Sequence, residues 1–260
     1  MLTTTNVVAA EITQKLGIIA APGWFDPTQK EFATLCPEGV DSTQTILPPI
    51  GFDYSFTQME QLEPHLETAG RLLADAGSQL IGQVGPAFAY FSGGTPEGAR
   101  ALQQRLSQAC NAPVILHGVA VLDALAAFGS QRIALACPYY DAQWKAYILE
   151  FLAPLELSIE SCETFVEQGI FASQAEVDER HYQFSESEIK ESIRRTRASA
   201  PEAELVFVAG AGVRFLNIIE ELETELGIPV LSADVALYWA LLNALDIKIE
   251  NNNFGTLLRL

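Results

Sequence analysis

Two stretches of this chain repeat each other without a gap. Pro113-Val-Ile-Leu-His-Gly-Val-Ala-Val-Leu-Asp-Ala-Leu125 and Pro229-Val-Leu-Ser-Ala-Asp-Val-Ala-Leu-Tyr-Trp-Ala-Leu241 match in character position by position. Each reads as a short apolar strand running straight into an apolar helix. The same spacing of 116 positions separates Pro22 from Pro138, which end the similar runs Lys15-Leu-Gly-Ile-Ile-Ala-Ala-Pro22 and Arg132-Ile-Ala-Leu-Ala-Cys-Pro138. Solenoid repeats have periods of about 20–50 residues, so a period this long marks a duplicated domain.

Each half contains a second apolar strand that ends in small residues. These are Leu80-Ile-Gly-Gln-Val-Gly85-Pro86-Ala87 and Leu205-Val-Phe-Val-Ala-Gly210-Ala211-Gly212. In open α/β sheets ligands bind beyond the carboxyl ends of the strands, where backbone N–H groups are exposed. Gly85 and Gly210 lie 125 positions apart, so the second half carries an insertion before its turn. We place it in the polar region Phe171 to Ser185, which holds His181.

Helix-length amphipathic stretches alternate with the strands, the pattern of a parallel α/β fold. They run from about Glu60 to Ala76, Thr95 to Ala109, Val119 to Phe128 and Glu186 to Ala198. Pro96 and Glu97 suit the first turn of the second of these. The expected architecture is two pseudo-symmetric, Rossmann-like α/β lobes with parallel sheets and a cleft between them. The lobes would span residues 16–128 and 129–230, with 231–260 packing back on the first. Neither glycine turn has G-x-G-x-x-G or Walker spacing, which disfavours nucleotides.

The formal net charge of −18 argues against nucleic-acid binding, which needs clustered Lys and Arg, and against an anionic membrane surface. It leaves room for a small anion, because local backbone dipoles outweigh distant charge. Met1 to Glu11 lacks the basic flank and apolar core of a signal peptide. No apolar run is long enough to span a membrane. Cys36, Cys110, Cys137 and Cys162 are sparse and without metal-type spacing, so reduced thiols in the cytoplasm are expected.

The Leu-Gly-Ile-Ile opening strand, the paired small-residue turns and Leu226-Gly-Ile-Pro-Val-Leu-Ser-Ala233 occur in an order that resembles the aspartate/glutamate racemase superfamily. Its arylmalonate decarboxylase and maleate cis-trans isomerase branch is the most similar, over about Leu16 to Leu245. The resemblance implies a lyase or isomerase that acts on a small carboxylate with no cofactor and no metal. Racemases of the superfamily place one cysteine in each turn, and these positions fall at Gly85 and Gly210. Decarboxylases also have glycine at the first but keep the second cysteine as proton donor. Glycine carries no proton, so two-thiol racemisation is not available here. An inactive relative that binds a carboxylate or a protein partner is the alternative.

What the turns retain is backbone. Gly85, Ala87, Gly210, Ala211 and Gly212 have N–H groups for a carboxylate or a developing enolate, whereas Pro86 has none. Tyr139 aligns with the tyrosine that donates a hydrogen bond to substrate in the decarboxylase branch; packing between lobes is its other reading. Tyr140 is adjacent, and Asp141 either joins the site or caps the next helix. Cys137 and His117 are the other proton-donor candidates, each with a plain structural reading beside it. Arg214 either pairs with a substrate carboxylate or is a solvated helix-start cation. Pro22 and Gly23 match the family's first substrate-side turn, and Trp24 and Phe25 beside them suit an apolar pocket. Val84, Phe88, Val208 and Val213 suit an apolar surround. Ser232 and Asp234 line the cleft or cap the last helix. A homo-oligomer is left open.

Overall fold

The computed structural model describes residues 13–23, 25–48, 53, 55–249 and 253–260. The N-terminal stretch discussed above and Trp24 lie outside these residues. Strand β1 (Gln14–Ala20) pairs in parallel with β2 (Val40–Ile46) and β3 (Leu80–Gln83), and β3 pairs with β4 (Val114–Leu116), in the order β2-β1-β3-β4. The second sheet repeats this order with β5 (Arg132–Ala136), β6 (Ser158–Glu163), β7 (Leu205–Val208) and β8 (Val230–Ser232), arranged β6-β5-β7-β8. Two parallel four-stranded sheets with flanking helices form a pseudo-symmetric α/β fold.

Strands covered on both faces are largely apolar. Every residue of β3, β7 and β8 is buried. At the opposite edge of each sheet from β4 and β8, Val-Asp-Ser-Thr-Gln-Thr-Ile in β2 and Ser-Ile-Glu-Ser-Cys-Glu in β6 contain no fully buried residue. Their polar composition hides them from a search for apolar runs, and the sequence reading missed both.

The helices begin where local chemistry satisfies their first N–H groups. Ser55 caps α2 (Phe56–Asp75) and Thr95 caps α3 (Pro96–Cys110), where the Thr95 hydroxyl accepts from Gly98 N–H at 3.0 Å. Asp141 caps α5 (Ala142–Leu152), accepting from Trp144 N–H at 2.8 Å. Ser185 and Glu188 form a reciprocal capping box at α7 (Glu186–Ser199). In chain order, α1 spans Thr28–Ala33, α6 Gln174–Asp178 and α8 Ile219–Leu226. A π-helical turn at Ala89–Gly93 follows the first glycine turn.

The two repeated segments form β4 with α4 (His117–Phe128) and β8 with α9 (Ala233–Ala244). Each helix starts on the residue after its strand. The helices pack against each other, and the hydrophobic core runs unbroken across the seam. Helix α9 also reaches the first sheet, with Leu241 lying over Gly82. Its end is tied there by Gln14 Nε2 donating to Leu245 O at 3.0 Å, and its middle by Tyr238 Oη donating to Glu31 Oε2 at 2.8 Å.

Gly118, at the start of α4, sits against Ala89 and the Pro86 carbonyl, and an added Cβ would overlap the Ala89 methyl. Both neighbours belong to backbone-fixed turns that cannot withdraw. Overpacking of this kind costs about 1–3 kcal/mol, more than the ~1 kcal/mol that alanine gains over glycine in a helix. Gly118→Ala is expected to lower the urea unfolding midpoint at unchanged m-value. An unchanged or higher midpoint would show that the seam yields.

Candidate functional site

The carboxyl ends of both sheets open onto one cavity of about 880 Å³. The turn after β1 contributes Pro22 and Gly23, and the turn after β3 contributes Gly85, Pro86, Ala87 and Phe88. From the second lobe come Tyr139, Tyr140, Trp144 and Ala211. Phe56 and Met59 at the start of α2 complete the apolar wall.

The two glycine turns require left-handed backbone, with φ of +103° at Gly85 and +100° at Gly210. Buried side chains then decide which N–H groups each turn can offer. Gly85 N–H donates to His117 Nδ1 at 3.0 Å. Gly212 and Val213 N–H both donate to Asp234 Oδ2, at 2.8 and 3.2 Å. With Pro86 lacking a proton, the turn N–H groups without an acceptor among the described residues are those of Ala87, Gly210 and Ala211. Ala87 and Ala211 stand on the cavity wall, whereas Gly210 and Gly212 lie behind it. Gln83, fully buried, donates its amide to the carbonyls of Val84 and Gly85 and so keeps these acceptors engaged.

Tyr139 reaches across from β5 to the second turn, and its hydroxyl donates to Ala211 O at 3.0 Å. A Cβ built on Gly210 would overlap that hydroxyl. The phenol therefore fills the space that a side chain at position 210 would enter. Burial, with Tyr140 and Tyr182 close by, raises the Tyr139 pKa well above the usual phenol value. Tyr139 thus remains protonated at neutral pH.

His117 and Cys137, expected as proton donors at the cleft, do not line it. His117 is fully buried beneath the first turn, and burial lowers its pKa to about 4. Because Nδ1 accepts from Gly85, the neutral ring carries its proton on Nε2. Cys137 is also fully buried, with its Sγ 3.9 Å from Cys162 Sγ on the neighbouring strand. Donation of its S–H to Cys162, together with burial, pushes the Cys137 thiol well up. Arg214 is exposed at φ +49° and off the wall. The second turn bends the chain away there, so the expected carboxylate pairing is not formed by this geometry. Phe25 is 89% exposed and outside the wall, and Val84, Val208 and Val213 are buried behind it. Ser232 caps α9, accepting from Val235 N–H at 3.3 Å.

The nine-residue difference between the two spacings marks what the sequence reading left unassigned in detail. The segment from 171 to 185 folds over the cavity on its own small core of Phe165, Phe171 and Val177. Gln174 Nε2 donates to Tyr139 O at 3.0 Å, and the Tyr182 ring meets the Tyr139 ring edge-on at 4.8 Å. His181 and Tyr182 are both left-handed, at φ +45° and +63°, and both line the cavity. With Asp53, Asp141 and Asp178 also on the wall, no Lys or Arg lines it among the described residues. Any anion bound here is held by neutral donors and helix-start dipoles.

This geometry, two facing lobes with a donor-bearing turn from each, belongs to a known class. A family model described as arylmalonate decarboxylase matches residues 54–258, and the chain belongs to that family. Arylmalonate decarboxylase of Bordetella bronchiseptica is 27% identical over 169 residues, covering 65% of this chain and 66% of that protein. The matched region thus falls just short of two thirds of that relative's length. Among solved structures, the maleate isomerase Iso of Pseudomonas putida superposes with a TM-score of 0.79 at 18% identity, covering 94% of this chain and 98% of that one. Unliganded arylmalonate decarboxylase gives 0.74 at 21%, covering 95% and 99%. At such identities these structures establish the fold. The relatives are enzymes. No helix among the described residues is long and apolar enough to cross a membrane.

The depressed His117 pKa has a consequence for stability. Between the unfolded value near 6.5 and the folded value of about 4, the unfolded chain binds the extra proton. Stability contributed by this site is therefore present above pH 6.5 and lost as pH falls towards 4. His117→Asn keeps an acceptor near the Nδ1 position and does not titrate. The wild type is expected to lose stability relative to His117→Asn over that window in paired urea melts. A pH-independent difference would show that His117 titrates normally in the fold.

A second expectation concerns Tyr139. Gly210→Ala should destabilise the protein by displacing the phenol, and Tyr139→Ala in the same chain should recover part of the loss. Simple additivity in the double-mutant cycle would show that the two do not compete for space.

Proposed function

We propose that the protein is a cofactor-independent lyase acting on a small carboxylate, with decarboxylation of a malonate-type acid as the reaction its cavity suits best. One observation carries the reading: Ala87 and Ala211 each bring an unbonded backbone N–H to the wall of one largely apolar cavity. Such donors hold one carboxylate of the substrate and strengthen as it takes up charge. The second carboxylate lies among apolar side chains, where loss of its charge as carbon dioxide is favoured.

The steps balance without a thiol. The bond between Cα and the departing carboxyl carbon breaks, and its electron pair passes into the retained carboxylate to give an enediolate. The Tyr139 hydroxyl turns from the Ala211 carbonyl and delivers its proton to Cα. The phenolate then regains a proton from water. Isomerisation by thiol addition to a double bond is less suited, since Gly85 and Gly210 offer no nucleophile. A second reading, a carboxylate-binding protein without turnover, draws on the fact that the Tyr139 hydroxyl is already engaged.

Proton NMR in deuterated buffer with phenylmalonate tests the reading. The expected product is the monocarboxylate with one deuterium at Cα. Tyr139→Phe should slow it by about 10²–10⁴-fold, the usual weight of a positioned acid, with substrate affinity changed less than tenfold. If phenylmalonate, maleate and amino acids raise the melting temperature but none is converted, the binding reading replaces the enzymatic one.

A further inference from the structure

The two buried residues that hold the turns also face each other. His117 and Asp234 are 0% and 2% exposed, and His117 Nε2 lies 3.9 Å from Asp234 Oδ1. Neither of these atoms has a hydrogen-bond partner among the described residues, although the opposite atoms, Nδ1 and Oδ2, are used on the turns. Buried polar atoms are rarely left unpaired, and each such case calls for a physical reason. Here the ring proton is on the Nε2 side and the open carboxylate oxygen faces it, a donor and an acceptor slightly too far apart to bond.

Their positions in the duplicated frame explain how they meet. His117 is the first residue of α4, and Asp234 the second of α9. These helices pack across the seam, so a side chain from each helix start points into the space between the lobes. The symmetric counterparts cannot do the same. Ala233 has no polar side chain, and at Gly118 even a Cβ is blocked by Ala89. One polar pair therefore serves both halves.

We propose that His117 and Asp234 are the positioning couple of this site. His117 fixes the first turn, Asp234 fixes the second, and their approach across the seam, Nε2 facing Oδ1, sets the two turns in register. The couple also selects the donors: by taking Gly85, Gly212 and Val213 it leaves Ala87 and Ala211 to face a ligand. The relevance to catalysis rests on the carboxylate reading above, whereas the couple itself does not. Other charged groups face it too. Burial first, then Glu31 and Asp26, raise the Asp234 carboxyl well above its usual range, and the Tyr238 hydroxyl and Arg214 in turn act on Glu31. On the other side, the Ala233 carbonyl favours the protonated imidazole.

The test uses ¹⁵N- and ¹³C-labelled full-length protein. Gly85, Gly212 and Val213 amide protons are expected to exchange slowly in the wild type. His117→Ala should expose Gly85 and also shift the Gly212 and Val213 amides, and Asp234→Ala should do the reverse. Effects confined to the substituted lobe would overturn the couple. Should either alanine variant fail to fold, His117→Asn and Asp234→Asn retain the turn acceptors but remove the Nε2–H or the carboxyl oxygen that faces it. His117→Asn should then keep Gly85 protected and move the Asp234 carboxyl ¹³C resonance, and Asp234→Asn should move the His117 Nε2 resonance. If neither resonance moves, the residues are independent and the inference fails. In calorimetry with phenylmalonate, each alanine variant should bind at least tenfold more weakly, while the asparagine variants recover most of the affinity. A wild type that binds neither phenylmalonate nor maleate would remove the carboxylate reading, and the amide measurements would still decide the couple.

Discussion

Left-handed backbone at Gly85 and Gly210 is the constraint on which the site depends. A residue with a side chain adopts φ near +100° only with strain. At this φ a strand end can turn so that the next N–H groups leave the sheet and face the cleft. Every other feature of the site follows from holding those two turns in place. His117 and Asp234 secure them from behind, Gln83 ties up the carbonyls of the first, and Tyr139, from the neighbouring strand end of the same lobe, closes the space beside Gly210.

Duplication supplies the second half of the explanation. Two copies of one strand–helix unit meet through α4 and α9, so the carboxyl ends of both sheets share a cavity without any long connection being needed. Symmetry alone, however, would give two equivalent turns. The chain departs from it at the buried seam, where histidine stands against alanine and glycine against aspartate, and at the lid, which only the second half carries.

The fold was legible because parallel strands covered on both faces are rich in apolar residues, so Leu80–Gln83, Leu205–Val208 and the repeated Pro-Val segments stand out. Strands β2 and β6 were not legible, since edge strands with polar sequences resemble loops. Within the site, Pro22, Gly23, Gly85, Pro86, Ala87, Tyr139, Tyr140 and Ala211 could be read from their places at strand ends, and all reach the cavity wall. His117 occupies a similar strand end yet points inward, and nothing in one sequence reveals which way a side chain at a helix start turns. The lid residues Gln174, Tyr182 and Phe184 were visible only as a difference in spacing. What they touch depends on the path of an irregular segment, and its core of Phe165, Phe171 and Val177 has no periodic signature.

The central claim is that backbone N–H groups of the two turns, rather than thiols or cations, hold a carboxylate. A crystal structure with bound phenylmalonate or its decarboxylated product tests it most directly. The account predicts one carboxylate within hydrogen-bond distance of the Ala87 and Ala211 nitrogens, with the aromatic ring against Phe56 and Trp144. A carboxylate bound instead at His181 or Arg214, with both alanine amides left free, would contradict it.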